Sequence, residues 1–357
     1  MRKAFTLMEM VVALGILAIV MSFAGTIFRV SIDSHRLALA NAEIMQKFRA
    51  ITEQLDSDLR GLRKDGELLV FWRAQRKDNY TGTNRNAEEA FDRFDRIMFF
   101  ADGDFQTYKA DPVVRGNIAR ICYALANGPS ANPSEPNRPQ AQKTERRVLA
   151  RTEHILVPPT TTPDPADPLG TGKFTDSQWR DWMSDAESDV ITMRGWELIP
   201  PARKVDILSV VGDVEVGLDQ LKSNKNDTAG GITLDPAKPQ SLHAFLCRGV
   251  GQFEIQGWSD AEKRWIPSVN PNGDTNLKDD SDFILEGDEL HPRQIPGLWY
   301  PRGPAVFGRE RQFPTLDGDF NKTPGLGRAL KFTFTLYDSR GLIKGGRAFT
   351  HIVYLDN

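Results

Sequence analysis

The first thirty residues constrain this chain more than any other stretch. From Met10 to Phe28 there is no charged side chain, and two cations, Arg2 and Lys3, stand before the apolar run. As a helix, Phe5 to Phe28 would span roughly 35 Å at 1.5 Å per residue. That length suits the roughly 30 Å hydrocarbon core of a bilayer. Glu9 does not fit a plain anchor. A carboxylate at membrane depth costs several kcal/mol unless it lies near the interface or finds a partner. A cleaved secretory signal would want a shorter apolar centre followed by small residues, which this run does not offer.

The order Lys3-Ala4-Phe5-Thr6-Leu7-Met8-Glu9 resembles the leader-peptidase site of type IV pilins and type II secretion pseudopilins. The resemblance implies a short leader at residues 1–4, a cut between Ala4 and Phe5 by prepilin peptidase, and an N-methylated Phe5. It also implies that Glu9 serves assembly. The family usually has Gly before the cut, where this chain has Ala4. Many members carry a Pro midway along the helix, where this chain has Gly25-Thr26. The physics can be stated without the family. Cutting before Phe5 creates an ammonium four residues from Glu9. In a bundle, Glu9 of one subunit can face the Phe5 ammonium of another, and pairing offsets the cost of burying each charge. The other reading of Glu9 is an interfacial acid that snorkels to water.

The positive-inside bias of Arg2 and Lys3 puts the N-terminus in the cytoplasm and the bulk of the chain in the periplasm, as a single-pass inner-membrane protein. Residues 5–29 are then the transmembrane helix. Residues 30–64 continue it, with Leu37, Ile44, Phe48, Ile51, Leu55, Leu59 and Leu62 in one stripe. Glu43, Lys47, Arg49, Glu53, Asp56 and Asp58 are read as its polar positions. Gly61 is the first stop signal.

Residues 65–357 read as one globular α+β domain built on antiparallel sheet. Strands are expected at Glu67–Arg73, Asp95–Ala101, Asn117–Ala126, Arg146–His154, Val205–Val211, Ala244–Ile255, Ala329–Tyr337 and Gly346–Leu355. A helix is expected over Thr175–Ser188. Pro-rich loops cover 129–139 and 158–168, and two irregular inserts cover 212–241 and 267–327. The 22 Pro and 29 Gly collect in such loops.

A second resemblance runs through these segments. Asp58-Leu59 near the helix end, Cys122-Tyr123-Ala124-Leu125, Val148-Leu149-Ala150-Arg151, Phe245-Leu246-Cys247-Arg248, Trp265 and Ala329 to Leu336 follow one another in an order similar to the J-type minor pseudopilin of type II secretion systems. The inserts depart from it, since typical members are shorter. The K-type member matches the length better but characteristically lacks the acid, which Glu9 supplies here. The resemblance implies a structural subunit at or near a pseudopilus tip. Its partners would be other minor pseudopilins, the major pseudopilin, prepilin peptidase and the inner membrane. A minor type IV pilin, or a carbohydrate-binding module on a pilin-like stalk, are the alternatives.

No enzymatic motif stands out, and neither a catalytic residue, a cofactor nor a metal is expected. His35, His154, His243, His291 and His351 lack metal-ligand spacing. The acidic stretch Asn270–Asp282 has Thr275 where an EF-hand loop needs Gly, so it reads as a solvated loop. A net charge of −3 gives no basic surplus for nucleic acid. Cys122 and Cys247 leave two readings open, one disulfide in an oxidising compartment or two buried thiols.

Overall fold

The computed structural model describes residues 7–64, 67–71, 74–76, 81–82, 88–106, 115–126, 147–157, 190–192, 245–260, 262–269, 282–286, 289–292, 305–308, 312–314, 320–322 and 327–355. The cleavage position at Ala4 and Phe5, the helix expected at Thr175–Ser188, the strand at Val205–Val211, both Pro-rich loops, the insert at 212–241 and the acidic stretch before Asp282 lie outside these residues.

One helix, α1 (Leu7–Arg60), runs unbroken through Gly25. Thr26 donates its hydroxyl to the Ser22 carbonyl at 3.0 Å, which satisfies it inside the apolar run. The helix stops where a glycine is needed. A Cβ on Gly61 would lie 2.1 Å from the Asp102 carbonyl oxygen. With no Cβ there, Asp102 donates its amide to Gly61 at 2.7 Å and Arg63 donates to Phe100 at 2.9 Å, so the chain leaves the helix already bonded to the sheet.

Seventeen strands follow among the described residues. The first seven are β1 (Glu67–Phe71), β2 (Ala74–Arg76), β3 (Phe91–Arg93), β4 (Arg96–Gln106), β5 (Arg115–Ala126), β6 (Val148–Val157) and β7 (Val190–Thr192). Next come β8 (Phe245–Arg248), β9 (Val250–Ser259), β10 (Arg264–Ile266), β11 (Phe283–Glu286) and β12 (Glu289–Pro292). The last are β13 (Ala305–Gly308), β14 (Gln312–Pro314), β15 (Phe320–Lys322), β16 (Ala329–Leu336) and β17 (Arg347–Tyr354). The largest sheet has the order β13-β1-β4-β5-β6-β7, with β8 also on β6. The second has the order β10-β9-β16-β17. Smaller sheets join β11-β12-β2-β3 and β14-β15. Among the described strands, pairing is antiparallel except between β6 and β7. The layout is α+β.

Two expectations need correction. The segment Ala244–Ile255 is not one strand. Gly249 takes φ 81°, and the chain turns there, so that β8 joins the large sheet and β9 the second. The insert at 267–327 is not irregular throughout. It supplies β11 to β15, each of three or four residues, too short to show alternation in sequence.

The core of the described residues lies between the helix and the two larger sheets, with Phe91 and Phe283 of a smaller sheet joining it. Ile44, Ile51, Leu55 and Leu59 of α1 meet Phe99, Ile121, Tyr123 and Leu149 of the large sheet. They also share this core with Phe253, Ile255, Phe332 and Phe334 of the second sheet. Phe48 stacks on Phe349 with centroids 4.7 Å apart. The stripe does not extend as far as its pattern. Leu37 is 49% exposed, and burial starts at Ala40. Behind the core, Arg93 donates to Asp95 and to Glu254, each at 2.5 Å, and to the Ile255 carbonyl at 3.1 Å. This buried charge cluster ties β3 to β9.

Candidate assembly site

The helix has two parts with different partners. From Leu7 to Leu39 its side chains are almost all exposed, including Leu14, Leu17, Phe23 and Phe28. Apolar groups displayed over that length need a partner other than water. Length and composition suit a membrane crossing, and a bundle of like helices would serve equally. Glu9 lies in the first turn of this segment and is exposed.

From Ala40 onward the helix is fastened to its own domain at two levels. The lower fastening is the turn between β16 and β17. Ser339 donates to Glu43 from its amide at 2.9 Å and from its hydroxyl at 3.0 Å. Lys47 pairs with Glu43 at 2.7 Å and donates to the Tyr337 carbonyl at 2.7 Å. The turn is shaped by Asp338, which is buried. Its carboxylate accepts from the amides of Ile343 at 2.8 Å, Leu342 at 2.9 Å and Arg340 at 3.2 Å. Partial burial pushes the Asp338 carboxyl up, but those amide donors outweigh it and hold it below its ordinary value. Glu43 is likewise held low. Desolvation opposes the shift, and Lys47 and Ser339 overcome it.

The upper fastening sits near the end of α1. Arg151 on β6 grips Asp58 with two bonds, 2.6 Å from Nε and 2.9 Å from a terminal nitrogen. Tyr123 on β5 donates its hydroxyl to the same carboxylate, and Gln54 donates to it at 3.1 Å. Arg151 also holds Glu153 at 2.7 Å. Burial, and next the Asp58 charge, push the Tyr123 phenol well above its ordinary value. Burial works against the Arg151 charge, and Asp58 more than restores it. Between the two fastenings, His351 of β17 lies 2.7 Å from Asp56. These bonds tie the end of α1 to β5 and β6.

Sequence reading missed this cluster as a unit. Asp58, Tyr123 and Arg151 stand in the segments that carry the second resemblance, but the sequence pattern counts Asp58 among the polar positions. It is buried. The signal was available, because Asp58 follows Ile51 by seven residues and Leu55 by three, which puts it on the apolar stripe.

The structure selects the second reading of the cysteines. Cys122 and Cys247 are both free and buried. Tyr123 faces Arg151, and Leu149 faces Cys247, so Tyr123 and Cys247 share one side of the sheet and Cys122 points to the other. With β6 between them the two backbones stand about 9 Å apart, beyond the reach of a disulfide. Burial pushes the Cys247 thiol up to about 11 and also raises Cys122. Of the acidic stretch, Asp282 is already engaged. Arg264 binds it at 2.6 and 2.8 Å, and the Ser268 amide at 2.7 Å.

The family described as the prokaryotic N-terminal methylation motif matches residues 1–25. No curated protein and no solved structure matches the chain significantly. The motif supports the type IV pilin-like and pseudopilin class, and with the exposed apolar helix it is consistent with a membrane-anchored protein.

Proposed function

We propose that the chain is a structural minor pseudopilin of a type II secretion system, similar to the J-type, placed at or near the pseudopilus tip. The observation that carries this reading is the continuity of one helix. It leads from the methylation motif, through a segment whose side chains are almost all exposed, into a segment fastened by Asp58 and Glu43. A subunit meant to join others by its helix needs that division.

In this reading prepilin peptidase cuts between Ala4 and Phe5, and Phe5 is methylated. The ammonium so formed is one helical turn from Glu9, and pairing with Glu9 of a neighbour fixes the register between subunits. Before the cut, Arg2 and Lys3 set the N-terminus on the cytoplasmic side, so that the globular domain lies in the periplasm. The partners are the other minor pseudopilins and the major pseudopilin.

Two measurements test it. Mass spectrometry of protein purified from membranes is expected to give an N-terminal peptide that starts at methylated Phe5. A start beyond residue 20 would mean a conventional signal peptide. Deletion of the gene is then expected to stop export of secreted enzymes and leave surface pili intact. Loss of pili with normal secretion would make the protein a minor type IV pilin.

A further inference from the structure

Strand β17 is an edge. It pairs with β16 through Arg347–Tyr354, and among the described residues no strand lies on its other side. At eight residues it is the longest sheet edge among the described residues, since the others run three or four. An open edge presents unpaired amides and carbonyls to any extended chain, and proteins usually blunt one with proline, a bulge or inward charge. None of the eight residues is a proline, and its register with β16 is continuous. Its outer face carries strand-forming side chains instead. Thr350 is exposed, Ile352 is 37% exposed and Tyr354 is 73% exposed.

The edge also has a sign. Arg340 and Lys344 in the preceding turn and Arg347 at the start of β17 are all exposed. Lys331 stands opposite Ile352 on the same face. The nearby carboxylates among the described residues are committed: Asp338 to its own turn, Glu43 to Lys47 and Ser339, and Asp56 to His351. A second copy of this chain would bring the same described cations, and their repulsion disfavours it. We propose that β17 is a strand-addition site for an extended acidic segment of a different chain. Backbone pairing gives the affinity, carboxylates opposite Arg347 fix the register, and apolar residues rest against Ile352 and Tyr354. The site goes beyond the role proposed above and holds whichever filament carries the protein.

Two synthetic peptides test it on the full-length protein in detergent. Both alternate threonine and valine; one ends in two glutamates and the other in two lysines. The glutamate peptide is expected to bind and to slow amide exchange across residues 347–354, and the lysine peptide to bind at least about tenfold more weakly. The surface variant Lys344→Glu with Arg347→Glu should reverse that preference, and its unchanged melting temperature would show that the fold is intact. Equal binding of the two peptides, or no slowing at β17 with either at millimolar concentration, overturns the proposal. So does slowing that appears without peptide and grows with protein concentration, which would mean that a second copy covers the edge.

Discussion

Asp58 is a carboxylate on the apolar side of a helix, and its neighbours make that position tenable. Arg151 supplies two charge-assisted bonds and Tyr123 a third. Removing one member of such a pair costs more than the pair contributes, because the survivor keeps its desolvation penalty without its partner. Asp58→Asn is therefore expected to lower the unfolding free energy by about 3 kcal/mol, and Tyr123→Phe by only about 1 kcal/mol, since Arg151 still holds the carboxylate. Denaturant unfolding of the full-length protein measures both. The double change Asp58→Leu with Arg151→Met should recover part of the loss, because it removes the stranded Arg151 charge from beside the lost carboxylate, while Glu153 gives up its bond to Arg151. Wild-type stability of Asp58→Asn would mean that the cluster is decoration. Residue type alone hid this position. An acid among Glu53, Asp56 and Asp58 looks like any solvated charge until its angle around the helix is compared with that of Ile51 and Leu55.

At the scale of elements, the turn between β16 and β17 holds the helix by ionised groups, so its hold depends on pH. Asp338 and Glu43 both have folded values below their ordinary ones. A carboxylate depressed on folding contributes stability that is fully present above its unfolded value, near pH 4, and is lost as pH falls through the folded value. The melting temperature is therefore expected to decline below about pH 4, and Asp338→Asn should flatten that decline while leaving the value at neutral pH less favourable. A variant that keeps the full acid response would remove Asp338 from the explanation. The regular elements were the legible ones. Helix α1 and the strands β4, β5, β6, β16 and β17 fall where apolar periodicity puts them: all but β17 bury long apolar stretches, and β17 pairs with β16 along its whole length. Periodicity could not divide β8 from β9, since both halves are apolar and only the backbone of Gly249 separates them. It overran at Leu37 for a related reason. A pattern shows which face is apolar but not where the covering domain ends.

For the whole molecule the question is how a domain and a long exposed helix work as one piece. Under the proposed function, Glu9 acts only between molecules. Glu9→Leu is expected to leave the protein in the membrane with the melting temperature of its domain unchanged, while its incorporation into the filament falls. Normal incorporation would reduce Glu9 to an interfacial acid, and loss from the membrane would mean that insertion itself needs it. The two fastenings at Glu43 and Asp58 bear on this through simple mechanics. They grip the helix at points roughly 22 Å apart, and beyond them some 50 Å of helix extends toward Leu7. A shaft held at two bearings can neither swivel nor slide, so the domain aims its far end. Each degree of play at the bearings would move that end by about 1 Å, the difference between meeting a neighbouring charge and missing it.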